Sequence, residues 1–153
     1  MRRVDKEISD TSMIQSILAD AFVCRLAMAE NNVPYIVPMN FGYEGNTLYF
    51  HCAMEGRKLD IITRNPVVCF EMDTGVEIVS DNNACSWGTR YYSVIGIGRA
   101  QIVDEGEEKW KALDVIMRKY SGRDGWDYGR EALAKIRVIK VSIEHMTAKR
   151  SGW

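Results

Sequence analysis

The stretch Val33-Pro34-Tyr35-Ile36-Val37-Pro38-Met39-Asn40-Phe41-Gly42-Tyr43, with Glu44-Gly45-Asn46 and Thr47-Leu48-Tyr49-Phe50-His51 behind it, decides the fold. Val33, Tyr35, Val37, Met39, Phe41 and Tyr43 fall on one side of an extended chain; Pro34, Ile36, Pro38, Asn40 and Gly42 fall on the other. Side chains alternate across a strand, so the pattern is that of a two-faced β-strand. Its two prolines lack the N–H that a ladder requires, which puts the strand at a sheet edge or interrupts its pairing. Glu44-Gly45-Asn46 then reads as a hairpin turn into a second strand.

Working outward, residues 23–28 read as a strand and Asn31-Asn32 as a turn. Upstream, Ser12-Met13-Ile14-Gln15 reads as a capping box, and Ile14, Ile17, Leu18 and Ala21 give an amphipathic helix of roughly ten residues. Downstream, a short helix over 57–64 ends at Asn65-Pro66, because the residue before proline avoids the helical region. Residues 67–72 form a strand, and 73–89, dense in polar and turn residues, read as the longest loop. A long strand over 91–103 carries Tyr92, Val94, Gly96, Gly98, Ala100 and Ile102 on one face. Its glycines leave a trough where a ligand or another backbone can approach closely.

Residues 105–120 read as a helix with an apolar stripe of Trp110, Leu113, Met117 and Tyr120. Glu105 with Lys109 and Glu107 with Lys111 are spaced as ion pairs, and Gly122 is the stop. A weak helix over 130–135 and an alternating strand over 137–145, with Ile139, Val141 and Ile143 inward, complete the chain. Six or so strands with a few short helices predict a mostly β protein, an antiparallel barrel or sandwich with flanking helices. At 153 residues it is a single domain.

Composition removes several classes of function. A 46% hydrophobic content with 10% aromatics excludes disorder. The charges nearly cancel, 20 Lys and Arg against 21 Asp and Glu, for a net charge of −1. That balance argues against a nucleic-acid partner and against an electrostatically held membrane protein. Met1-Arg2-Arg3-Val4-Asp5-Lys6-Glu7 has no apolar core behind it and does not read as a signal peptide. No apolar run approaches the ~20 residues of a membrane helix, and the expected location is cytoplasmic. Cys24, Cys52, Cys69 and Cys85 are isolated, so no zinc knuckle or thioredoxin-type pair is expected. Cys24 and Cys69 sit in apolar runs and read as small core residues. There is no phosphate loop, and Gly96-Ile97-Gly98 lies mid-strand, where it is no dinucleotide fingerprint. With only two histidines and no metal-spaced pair of them, no metal site is expected.

The stretch with chemistry in it is Tyr49-Phe50-His51-Cys52-Ala53-Met54-Glu55-Gly56-Arg57-Lys58. A strand ends, small residues follow, and two cations open a helix. Helix N-termini offer unpaired N–H groups and partial positive charge, which together with Arg57 and Lys58 suits a phosphate ester. The same two residues also read as a solvated pair on a surface turn. His51 reads as a proton donor, a haem or metal ligand, a pocket wall, or simply a satisfied polar residue. Trp87, Tyr91 and Tyr92 could form an aromatic wall for a flat ligand, or pack in a core or interface.

Several stretches together resemble the nitroimidazole-resistance family. They are Pro34-Tyr35-Ile36-Val37-Pro38-Met39-Asn40-Phe41-Gly42-Tyr43, Leu48-Tyr49-Phe50-His51-Cys52-Ala53, Glu55-Gly56-Arg57-Lys58-Leu59-Asp60, Asn65-Pro66-Val67-Val68-Cys69-Phe70-Glu71 and Ser93-Val94-Ile95-Gly96-Ile97-Gly98-Arg99-Ala100. Arg2-Arg3-Val4-Asp5-Lys6-Glu7-Ile8 and Thr147-Ala148-Lys149 extend the likeness over nearly the whole chain. The chain departs from the family pattern at Ala148, where glycine is usual, and at Tyr92, where a polar residue is usual. The resemblance implies a pyridoxamine 5′-phosphate oxidase-like, FMN-binding split barrel that works as a homodimer with flavin at the interface. It implies that Val37, Pro38, Met39, Asn40 and Phe41 run along the flavin, that His51, Cys52 and Ala53 line it, and that Arg57 and Lys58 hold its phosphate. His51 would be the catalytic residue, and Trp87, Tyr91 and Ser93 would come from the partner subunit. The implied activity is reduction of nitroimidazoles or other nitroaromatics with electrons from a transiently docked NAD(P)H. Other readings are a non-catalytic flavin-binding or electron-transfer module, and a barrel that takes haem or deazaflavin.

Overall fold

The computed structural model describes residues 3–152; Met1 and Arg2 of the leader reading lie outside them. In chain order the elements are β1 (Glu7–Ile8), α1 (Thr11–Asp20), β2 (Cys24–Glu30), β3 (Val33–Met39), β4 (Gly42–Glu44), β5 (Thr47–Ala53), α2 (Arg57–Arg64), β6 (Val67–Val79), β7 (Gly88–Val103), α3 (Glu107–Ser121), α4 (Arg130–Leu133) and β8 (Ile136–Ser151). All strand pairs are antiparallel, and the sheet runs β3-β2-β6-β7-β8-β5-β4, with β1 beside β8.

That order closes the sheet on itself. β3 and β4 sit at opposite ends of the path, yet only Asn40 and Phe41 separate Met39 from Gly42. Three Cα steps span at most roughly 11 Å, so the two edges must meet and the sheet curls into a barrel with a seam. The prolines of β3 stand at this edge, as proline content predicts, and the ladder runs past both of them before pairing lapses at Asn40-Phe41. Gly45 and Asn46, both at positive φ, make the two-residue turn from β4 to β5.

The barrel is filled by Leu26, Phe41, Phe50, Phe70, Met72, Val94, Ile139 and Val141, and closed by α1 through Ile17 and Leu18 and by α2 through Leu59, Ile61 and Ile62. A second cluster under α3 gathers Tyr49, Val103, Ala112, Leu113, Val115, Ile116 and Val138.

Several sequence expectations are corrected. Asp10, not Ser12, caps α1: its Oδ1 accepts from the Ser12 amide at 2.8 Å and the Met13 amide at 3.4 Å. A carboxylate at this position satisfies orphan amides and meets the positive end of the helix dipole. Residues 73–89 are not one long loop, because β6 continues to Val79 through a bulge between Thr74 and Glu77, and β7 starts at Gly88. The buried stripe of α3 is Lys109, Ala112, Leu113, Val115 and Ile116, and Trp110 faces out against Tyr128. Lys109 does not pair with Glu105; its Nζ donates to the carbonyls of Asp104, Leu133 and Ile136 at 2.7–2.9 Å. Lys111 reaches Glu44 of β4 at 3.0 Å rather than Glu107. Cys24 is in the core, but Cys69 is only half-buried, on the outer face. The glycine trough of β7 lies inside the barrel: a Cβ on Gly96 would stand 2.2 Å from the Phe70 ring and 2.7 Å from the His145 carbonyl. The space is taken by the protein's own core.

Candidate functional site

At the barrel seam, an open cleft of about 290 Å³ is lined by Val23, Pro38, Met39, Asn40, His51, Cys52 and Lys58. Four segments build it. β3 and its break supply Pro38, Met39 and Asn40; the lead into β2 supplies Val23; β5 supplies His51 and Cys52; the first turn of α2 supplies Lys58.

Each side chain arrives there for a local reason. Along β5, Leu48, Phe50 and Cys52 turn into the barrel, so His51 and Ala53 are left on the exposed face. Cys52 stands opposite Arg137 of β8, whose Nε lies 2.7 Å from the Asp104 carboxylate. Burial pushes the Cys52 thiol up from its ordinary value, while Lys58 and then Arg137 pull it back down. The thiol is thus a neutral group in a cationic neighbourhood.

Gly56 caps α2 at φ 139°, a conformation closed to most L-residues, and nothing stands within 4 Å of the place its Cβ would occupy. Its carbonyl accepts from the Leu59 and Asp60 amides at 2.9 and 3.3 Å. Among the described residues no side chain caps this helix start. Lys58 has no carboxylate partner among the described residues, so its charge faces the cleft unneutralised. Arg57 turns the other way, with its guanidinium 4.6 Å above the Tyr35 ring of β3. This cation–π stack ties α2 to the strand that forms the opposite wall.

Of the residues singled out in the sequence, six converge on the cleft within one chain: Pro38, Met39, Asn40, His51, Cys52 and Lys58. Val37 packs against the barrel core, and Phe41 is wholly buried, so its side chain belongs to the core and only its main chain borders the break. Ala53 is exposed at the end of β5. Trp87, Tyr91 and Ser93 lie elsewhere. His51 pairs with Val138 of β8, whereas Ser93 pairs with Lys149. The eleven residue steps of strand from Val138 to Lys149 would span roughly 36 Å if straight. Ser93 is buried in the ladder, Tyr91 has Lys149 Nζ at 5.7 Å from its ring, and Trp87 is exposed with its Nε1 donating to the Asp81 carbonyl at 2.6 Å.

Sequence reasoning passed over Val23 as a wall, and over Tyr120 and Lys119, which reach the seam from the last turn of α3. The Tyr120 hydroxyl accepts from the Phe41 amide at 3.0 Å and donates to the Phe22 carbonyl at 2.7 Å. Lys119 Nζ donates to the Leu18 and Ala19 carbonyls at 2.8 and 2.6 Å. The only signal was their polar tips at the end of an apolar stripe. Among the described residues no group of three or more His, Cys, Asp or Glu is placed to hold a metal ion, and no helix is long and apolar enough to cross a membrane.

Comparison with known proteins agrees with this architecture. Residues 10–150 match the family model described as pyridoxamine 5′-phosphate oxidase. A candidate 5-nitroimidazole antibiotic resistance protein from Bacteroides thetaiotaomicron superposes with a TM-score of 0.82 at 37% identity, covering 94% of this chain and 86% of that one. The FAD and haem binding protein from Mycobacterium smegmatis superposes with a TM-score of 0.82 at 18% identity, covering 97% and 75%, a likeness of fold. An uncharacterised protein of Rhizobium meliloti is 36% identical over 58 residues, 38% of each chain. The sheet whose edges meet at a seam is therefore the split barrel of that family.

Proposed function

Because this chain belongs to the pyridoxamine 5′-phosphate oxidase family, we propose that it binds flavin mononucleotide at the seam cleft, as a homodimer, and reduces nitroaromatic compounds with electrons from NAD(P)H. The observation that carries this reading is the cleft itself, which joins an unpaired cation at an uncapped helix start to the apolar surface of Val23, Pro38 and Met39.

The donor set fits a flavin phosphate. The first amides of α2 lack intrahelical acceptors, and the open space above Gly56 leaves them room to receive an anion. Lys58 adds a full charge on the cleft side, and Arg57 a second from the Tyr35 side. Val23, Pro38 and Met39 offer apolar surface to a flat ring, and Asn40 offers an amide to its polar edge. When bound, the flavin would supply the hydride chemistry. The protein would bind, orient and exclude water. His51, exposed at the cleft, would hold or deliver a proton beside the acceptor, a task suited to an imidazole.

A second copy completes the site in this reading. Small-molecule pockets usually span ~300–1,000 Å³ and bury most of the ligand, whereas this cleft is about 290 Å³ and open to solvent. Trp87, Tyr91 and Ser93, too distant within one chain, would arrive from the partner. The four free cysteines suit the reducing cytoplasm, where we place the protein.

The test is a titration of the purified protein with FMN and with riboflavin, followed by turnover with NADH or NADPH and a nitroaromatic acceptor. Replacing Arg57 and Lys58 together by Ala should weaken FMN by about 10- to 100-fold, the worth of one charged hydrogen bond or more, and leave riboflavin nearly unchanged. Equal losses for both ligands would refute the phosphate assignment. Flavin binding with no turnover, and no effect of His51→Ala, would leave a carrier rather than a reductase.

A further inference from the structure

The β2–β3 ladder ends at the cleft with Cys24 opposite Met39, and just beyond it a side-chain hydroxyl joins the two strands again. Val23 and Asn40, the next residues on each strand, both line the cleft; Phe22 precedes Val23 and Phe41 follows Asn40. Tyr120 bridges those two neighbours, its Oη accepting from the Phe41 amide at 3.0 Å and donating to the Phe22 carbonyl at 2.7 Å. A hydroxyl can do both at once, since it carries one proton and two lone pairs.

Neither backbone group has a ladder to fall back on. Phe41 lies between the last β2–β3 pair, Cys24 with Met39, and the first β4–β5 pair, Gly42 with Tyr49. Phe22 lies in the link between α1 and β2, outside both. The Phe41 ring itself is buried, against Phe50 at 6.5 Å and under Lys119 Nζ at 4.5 Å. The same Lys119 holds the carbonyls of Leu18 and Ala19 at the end of α1. The last turn of α3 thus grips both the β3–β4 break and the entry to β2. Gly42 permits the grip: a Cβ there would lie 2.8 Å from the main chain of Val115 and of Ile116. A side chain at 42 would force α3 away from the seam.

Resting on the flavin reading above, we propose that Tyr120 is a positioning residue for the cofactor cleft, fixing the unpaired ends of β2 and β3 that carry Val23 and Asn40 without touching the ligand. Without the hydroxyl, the break and the link each gain freedom that binding must remove again. The loss should therefore fall on the flavin ring and spare the phosphate contact.

The experiment compares Tyr120→Phe with Tyr128→Phe, which removes a hydroxyl donating to Asp114 at 3.0 Å away from the seam. Tyr120→Phe should weaken FMN and riboflavin alike by about tenfold, the scale of one or two lost hydrogen bonds. It should also alter the visible circular dichroism of the saturated complex. Tyr128→Phe should lower the melting temperature while leaving affinity and that spectrum as in the parent. If both variants bind alike, or Tyr120→Phe keeps the parental affinity and spectrum, the proposal is overturned. Amide hydrogen exchange of the ligand-free protein decides the bridge by itself: Tyr120→Phe should expose the Phe41 amide and spare that of Leu48. Unchanged Phe41 protection would sink the bridge, whereas a parent protein that takes up no FMN would sink the flavin reading instead.

Discussion

Strands β6 and β7 form one ladder with two opposite fates. From Val67 with Arg99 to Thr74 with Tyr92 they run through the barrel, where Val68, Phe70, Met72 and Val94 are buried. From Glu77 with Arg90 to Val79 with Gly88 they pair in the same way, yet Val76, Ile78 and Trp87 are 61%, 72% and 56% exposed. The difference lies in the flanking layers. β2 covers β6 only over residues 68–71, and β8 leaves β7 at Tyr91 with Ser151. Hydrogen-bonded pairing fixes the backbone, but burial needs a neighbour on each side. A bare two-stranded hairpin is marginal in water. In our reading, a second copy covers this arm, and the same copy completes the flavin site.

Removing one side chain from each half should separate the two most widely. Phe70→Ala should cost about 3–5 kcal/mol of stability in denaturant titrations, since it empties the centre of the barrel. Ile78→Ala should change the chain's own stability by less than about 0.5 kcal/mol, as exposed sites do. Ile78→Asp should instead shift sedimentation toward single chains. An Ile78 variant that unfolds as readily as Phe70→Ala would show that the arm is core after all.

Thiol labelling sharpens the same contrast. Cys85 lies exposed in the 3₁₀ turn at the tip of the arm, whereas Cys24 is buried in the barrel, where desolvation pushes its thiol up to about 12. Cys85 should react with iodoacetamide first in the native protein, with Cys24 and Cys52 labelled only on unfolding, as read by intact and peptide mass. Equal rates at Cys24 and Cys85 would mean that the barrel opens as easily as the arm.

The smallest effect concerns charge. Hydrogen bonds from Lys111 and then Arg118 hold the Glu44 carboxyl below its ordinary value of 4.5. A carboxyl depressed in the folded state contributes stability above its unfolded pKa, and that contribution is lost as pH falls through the lower folded value. Glu44→Gln should flatten the acid side of the stability profile by under about 1 kcal/mol, because the site is partly exposed.

The barrel half was legible because its chemistry is local. The alternation of 33–43 and the two prolines gave an edge strand, Asn65-Pro66 ended α2, and Gly56-Arg57-Lys58 marked a helix start with cations. Six of the residues named for the site meet in one cleft. The arm was read as a loop because its strands have no buried face to impose alternation: Asp73, Thr74, Gly75 and Glu77 look like turn chemistry, and one of them is the bulge. The role of Tyr120 was hidden for a different reason. Its partners are main-chain groups 79 and 98 residues away, and no side-chain pattern records them.

The central claim, a flavin mononucleotide shared by two copies of this chain, is tested most directly by native mass spectrometry of the protein purified with added FMN. Two chains carrying two FMN molecules are expected, with Lys58→Ala releasing the flavin. A single chain with no retained flavin at saturating FMN would contradict the claim.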